Sequence, residues 1–182
     1  MRELSLNILD IAENSLKANA SLISIDVLAD ESILTIKIED NGCGMDGDFL
    51  SRVEDPFTTT RTTRKVGMGI PLMKMISEMS GGAFKVESEK GKGTVVTATF
   101  QVDHVDRPPL GDISQTIISL VGNLNDCDLI FNFNAFDTQF TLDTRDVRKE
   151  LDGIPLDEPQ ILIFLRDLIN ENIKTNFRGV SL

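Results

Sequence analysis

Four short stretches of this 182-residue chain carry residue types whose spacing suits chemistry. The first is Asp40-Asn41-Gly42-Cys43-Gly44-Met45. A carboxylate is followed at once by Gly-x-Gly, where the backbone can take positive φ and approach a ligand closely. The second is Asp10, Asn14 and Lys17, which set a carboxylate, an amide and an ammonium at i, i+4 and i+7 on one helix side. The third, residues 57–69, gathers hydroxyls, the cations Arg61, Arg64 and Lys65, and a closing Gly67-Met68-Gly69. Such a loop at a helix start suits a phosphate, because unpaired N–H groups and the positive dipole end face the anion. The fourth is Gly91-Lys92-Gly93-Thr94, a tight turn that ends in a hydroxyl. Each stretch also has a plainer reading: a turn with a capping Asp, a solvated helix face, a basic surface loop, a hairpin turn.

The elements that must position these residues follow from hydrophobic period. Residues 3–20 read as a helix with Leu4, Ile8, Leu9, Ile11, Ala12, Leu16 and Ala18 on one arc. Glu3, Asn7, Asp10, Glu13, Asn14 and Lys17 fill the opposite arc, with Leu6 as the misfit. Ile23, Ile25 and Val27 alternate, Asp30-Glu31-Ser32 turns, and Leu34, Ile36 and Ile38 alternate again. Parity puts Asp40 on the inward face of this second strand, where a carboxylate needs a partner. A helical turn over 48–55 is stopped by Pro56. The basic loop opens a helix over Ile70–Ser80, with Pro71 in its first turn and Gly81-Gly82 behind it. Residues 83–88 and 94–102 form a second hairpin, with Val96, Ala98, Phe100 and Val102 on one face.

Residues 103–111, with Pro108, Pro109 and Gly111, read as a linker. It divides an amino-terminal domain, 1–102, from a carboxy-terminal module, 112–182. The module reads as a helix capped by Asp112, a hairpin over 128–136 and 138–143, a short helix over 144–151, and a last helix from Pro159 carrying Ile161, Leu165, Leu168 and Ile169. That order is α-β-β-α-α.

Composition narrows the classes. The chain is 41% hydrophobic, enough to bury a core, and its net charge is −11. That charge argues against a nucleic-acid binder. No apolar run approaches the roughly 18 residues of a membrane span, and the N-terminus lacks a signal-peptide layout. Cys43 and Cys127 make no disulfide framework, so a reducing cytoplasm is expected. One histidine and two cysteines are poor material for a protein-built metal centre.

In their order and spacing, the four stretches resemble the ATP-binding domain shared by gyrase-type topoisomerases, heat-shock chaperone ATPases, histidine kinases and MutL-type mismatch-repair proteins, the GHKL superfamily. Glu13-Asn14-Ser15-Leu16-Lys17-Ala18 resembles its N-box, Asp40 to Met45 its first glycine box, and Asp55-Pro56-Phe57 its F-box. Gly67-Met68-Gly69-Ile70 resembles the second glycine box and Gly91-Lys92-Gly93-Thr94 the third. The resemblance covers residues 3–102. It implies an α+β fold, a two-layer α/β sandwich. It also implies an ATP site. Asp40 accepts from the adenine amino group. Asn14 coordinates Mg²⁺, which favours oxygen ligands. Thr94 helps hold the adenine end. Residues 57–66 form the lid, and Gly67 and Gly69 offer N–H groups to the phosphates. Lys17, Gly42, Gly44, Met45, Phe57, Thr58, Met68 and Ile70 line the nucleotide by their place in these boxes. Arg61, Arg64 and Lys65 are assigned to the phosphates on charge alone.

The short lid and Pro-Phe-Thr-Thr run resemble histidine kinases and anti-sigma-factor serine kinases; Glu-Asn-Ser-Leu followed by Ala-Asn-Ala is nearer the MutL type. Lid length and acidity favour the kinase side. Asp10 stands where hydrolysing members carry a Glu general base, and it is one methylene shorter. The phosphorylated-histidine domain of sensor kinases is not expected, since the ATP domain begins near Met1, and His104 does not replace it. The expectation is therefore a stand-alone cytoplasmic ATP-binding protein that regulates a protein partner, either by phosphorylating it or as a slow ATPase. The carboxy-terminal module would serve docking or homodimerisation. A non-catalytic nucleotide sensor is the alternative. A DNA-repair ATPase is disfavoured by charge.

Overall fold

The computed structural model describes residues 3–53, 68–173, 176–177 and 180–182. The chain runs α1 (Leu4–Lys17), β1 (Leu22–Ala29), β2 (Ile33–Asp40), α2 (Gly47–Leu50), α3 (Gly69–Met79), β3 (Phe84–Glu89) and β4 (Gly93–Gln101). It continues through α4 (Ile113–Val121), β5 (Asp128–Ala135), β6 (Thr138–Asp143), α5 (Thr144–Glu150) and α6 (Pro159–Asn172), then a minimal hairpin of β7 (Asn176–Phe177) and β8 (Val180–Ser181).

Alternation in the strands dictates a sheet with one dry face. Ile23, Ile25 and Val27 of β1, Leu34, Ile36 and Ile38 of β2, Val96, Ala98 and Phe100 of β4, and Leu129, Phe131 and Phe133 of β5 are all buried. Each fully buried side chain of this size contributes about 1.5–3 kcal/mol. Helices α1, α3 and α4 cover this face, with α1 flanked by α3 on one side and α4 on the other, and α6 packs against α4. The expected α+β two-layer arrangement holds.

The opposite face stays polar and half exposed. There Asn132 Nδ2 donates to Asp26 Oδ1 at 2.7 Å, and Thr141 Oγ1 donates to Asn132 Oδ1 at 2.9 Å. These bonds tie three neighbouring strands across the sheet.

The strand order is β3-β4-β2-β1-β5-β6. All pairings are antiparallel except β1 with β5, which run parallel with Leu22 opposite Asp128. The hairpin expected in the carboxy-terminal module therefore extends the same sheet. The segment expected as a linker leads from β4 into α4. It is anchored where Leu4 N and Ser5 N donate to the Pro109 and Leu110 carbonyls at 3.0 and 2.8 Å.

One local expectation needs correction. Asn7, expected on the solvent arc of α1, is buried at 1% exposure, because α1 packs against two helices as well as the sheet and its buried arc widens accordingly. Its Nδ2 has no hydrogen-bond partner among the described residues. The β7–β8 hairpin, two residues a strand, is too short to leave a periodic pattern.

Candidate functional site

The site grows from the carboxyl end of β2, where Asp40 continues the buried row of Leu34, Ile36 and Ile38. Its carboxylate is 9% exposed and doubly held. Ser15 Oγ on α1 donates to Oδ2 at 2.6 Å, and Gly42 N donates to Oδ1 at 2.9 Å. These contacts supply the partners that burial demands. The first is short, as expected for a hydroxyl on an ionised acceptor.

The loop after Asp40 is packed backbone to backbone. Cys43 N donates to the Ala18 carbonyl at 2.9 Å, just past the end of α1. A Cβ on Gly42 would stand 2.8 Å from that carbonyl oxygen, so any larger residue pushes the loop off α1. Asn41 staples the loop to the start of β1: its Oδ1 accepts from Ser21 N and Leu22 N at 2.9 and 3.0 Å. Gly44 lies beneath the β3–β4 turn, where Gly91 N donates to the Cys43 carbonyl at 2.7 Å.

Strand register places Thr94 directly opposite Asp40. Gly93 before it has φ +119°, and a Cβ there would overlap the Asp40 carbonyl. Ser88 Oγ organises this corner. It accepts from Met45 N at 2.8 Å, donates to the Gly93 carbonyl at 2.8 Å, and hydrogen-bonds with Thr94 Oγ1 at 2.9 Å. Asp40, Gly42, Gly44, Met45 and Thr94 thus converge on one corner.

A second group sits where α1 meets α3. Asp10 is exposed on α1, and Gly69 opens α3 against it: a Cβ on Gly69 would come 3.1 Å from Asp10 Cβ and 3.3 Å from Ile11 Cγ1. Met68 is the N-cap, and its side chain makes no cap hydrogen bond to the first turn of α3. Ile70 is buried behind it. Asn14, one turn beyond Asp10, is exposed. Lys17 does not join this group. It pairs with Glu13 at 3.1 Å and lines an open groove of 340 Å³ between α1 and α4, with Leu120 and Asn123 across from it. Phe57, Thr58, Arg61, Arg64, Lys65 and Gly67, with the expected lid, lie outside the described residues.

Sequence reasoning missed Ser15 and Ser88. Both had a signal. Ser15 sits in the apolar arc of α1 facing a strand that carries a buried acid, and Ser88 is the register partner of Thr94. The two cysteines differ in setting: Cys43 is exposed beside Gly42, while Cys127 is buried and its thiol is pushed up to about 11 by burial and the neighbouring Asp128.

Among the described residues, no helix is long and apolar enough to cross a membrane. Nor do three or more His, Cys, Asp or Glu side chains gather there to hold a metal ion. The amide oxygen of Asn14 is a donor of the type that Mg²⁺ accepts.

Comparison with known proteins bears on this arrangement. The family model of histidine kinase-, DNA gyrase B-, and HSP90-like ATPases matches residues 1–104. Sporulation kinase E of Bacillus subtilis is 33% identical over 102 residues, covering 56% of this chain and 14% of that protein. Sporulation kinase D of the same organism is 34% identical over 97 residues, covering 52% and 19%. The autoinducer 2 sensor kinase/phosphatase LuxQ of Vibrio parahaemolyticus is 36% identical over 84 residues, covering 43% and 10%. The chain thus spans less than a fifth of the length of these relatives. Among solved structures, the N-terminal domain of a DNA repair protein superimposes with a TM-score of 0.54 at 13% identity, covering 79% of this chain and 52% of that one. That likeness concerns the fold alone.

Proposed function

The chain belongs to the histidine kinase-, DNA gyrase B-, and HSP90-like ATPase family, and from that membership we propose that it binds Mg-ATP and uses the γ-phosphate, by transfer or slow hydrolysis, to regulate a protein partner. The observation that carries this reading is the division of the site into two ends. Asp40 and Thr94 stand side by side at one end as groups suited to a base edge. At the other, Asp10 lies against the N-terminus of α3, with Asn14 one turn away on α1.

Each end has its own work. Asp40, with both oxygens already holding one donor, accepts a further N–H from the adenine amino group. Thr94 offers a hydroxyl beside it. Gly69 and Ile70 present backbone N–H groups of the first turn of α3 to phosphate oxygens, with the dipole reinforcing them. Asn14 would supply an amide oxygen to Mg²⁺, whose chemistry there would be neutralisation of phosphate charge. Asp10 accepts the proton of the attacking hydroxyl, from water or from a partner's side chain.

A non-catalytic sensor is the second reading, and one feature favours it: Asp10 is one methylene shorter than the glutamate of hydrolysing members. The deciding experiment follows the γ-phosphate of labelled ATP with Mg²⁺, comparing wild type and Asp10→Asn. Release of free phosphate by the wild type alone makes Asp10 a working base, while label on a protein makes the chain a kinase. Intact bound ATP in both samples supports the sensor and refutes catalysis by the isolated chain.

A further inference from the structure

We infer that Ser15 is a positioning residue for base recognition: its hydroxyl fixes the Asp40 carboxylate so that the free acceptor sites of that group meet an amino-bearing base edge. This deepens the reading of Asp40 given above and rests on it. A serine inside a helix commonly bonds back to the carbonyl one turn earlier. Ser15 instead reaches across to β2 and donates to Asp40 Oδ2 at 2.6 Å, between residues 25 positions apart. Both side chains are buried, Ser15 at 3% and Asp40 at 9% exposure.

The donor count shows what the contact does. An ionised carboxylate accepts at about four lone-pair sites and donates at none. Ser15 fills one on Oδ2, and Gly42 N fills one on Oδ1 at 2.9 Å. With one donor on each of its oxygens, the carboxylate cannot turn about its own axis. Its remaining sites accept only, and a base edge bearing a carbonyl there meets lone pair against lone pair. Without the Ser15 hydroxyl, the Gly42 N–H alone among the described residues orients Asp40. Ser15 also adjoins Asn14 on α1, so one hydrogen bond sets the spacing between the end of β2 and the helix that carries the amide.

The test measures dissociation constants of the full chain for Mg-ATP and for Mg-purine riboside triphosphate, the same nucleotide without its 6-amino group. Both are titrated by calorimetry into wild type and Ser15→Ala. The wild type should prefer ATP by about 100-fold, since a site built to bond an N–H rejects the analogue lacking it. Ser15→Ala should weaken ATP by about 10-fold, as for loss of a hydrogen bond to a charged group, and purine riboside triphosphate by less than about 2-fold. Equal losses on both nucleotides overturn the inference, because Ser15 would then support only the fold. A wild type that fails to distinguish the two nucleotides overturns the reading of Asp40 itself, and this inference with it. Should Ser15→Ala fail to melt cooperatively, Ser15→Cys, close in volume and with a weak S–H donor, takes its place under the same comparison. There too, a loss confined to ATP supports the inference, and equal losses or none overturn it.

Discussion

Asp40→Asn should separate binding from stability, and the contacts at Asp40 say by how much. The carboxylate is 9% exposed and holds two donors, Ser15 Oγ at 2.6 Å and Gly42 N at 2.9 Å. Asparagine keeps an oxygen for Gly42 N, and the Ser15 hydroxyl can reverse to accept from the new Nδ2. Each bond weakens from charged to neutral, at a cost of about 1 kcal/mol apiece. Against this, the desolvation cost of the charge, about 2 kcal/mol for a side chain at the edge of a site, disappears. The two effects nearly cancel, so Tm should move by less than about 4 °C. Nucleotide binding has no such offset. On the proposed reading of Asp40, Nδ2 would present a donor where the adenine amino group also presents one, and loss of a charged acceptor plus an unmet donor amounts to about 3 kcal/mol, or roughly 100-fold in Kd. Calorimetric titration with Mg-ATP and a circular dichroism melt of both proteins decide it. Unchanged ATP affinity would refute the placing of the base at Asp40. A collapse in Tm would refute the claim that the neighbours tolerate the neutral side chain.

Two further outcomes follow from the same corner and from the cysteines. Gly93→Ala forces a Cβ into the Asp40 carbonyl at φ +119° and should cost about 2–4 kcal/mol, lowering Tm by roughly 5–15 °C in a thermal melt. A brief maleimide pulse read by mass spectrometry should label exposed Cys43 and spare Cys127, which is buried with its thiol held protonated well above neutral pH; saturating Mg-ATP should slow the labelling of Cys43.

Much of the site could be read before the fold, because it depends on local rules. Strand parity alone turns Asp40 inward, and helix spacing alone sets Asn14 one turn from Asp10. Elements followed for the same reason, with apolar alternation marking β1, β2, β4 and β5. What escaped was long-range. The parallel pairing of β1 with β5 joins residues 106 positions apart, as in the Asn132–Asp26 bond, and no local pattern distinguishes it from a separate hairpin. Asn7 was misplaced because a helical wheel assumes one packed side, whereas α1 has neighbours on both flanks. Ser88 matters through a three-way contact that only the assembled turn creates.

The parallel seam between β1 and β5 also governs how this chain can come off the ribosome. Residues that match the ATPase family end at 104, yet β1 lacks its second neighbour until residues 128–135 have emerged. Until then β1 is an open edge with Ile23, Ile25 and Val27 along one side, a template for pairing with other chains. Slow closure of so distant a contact prolongs that exposure. A fragment cut after residue 102 would keep that edge open, so the segment that looks most dispensable for nucleotide chemistry is also the one that covers it.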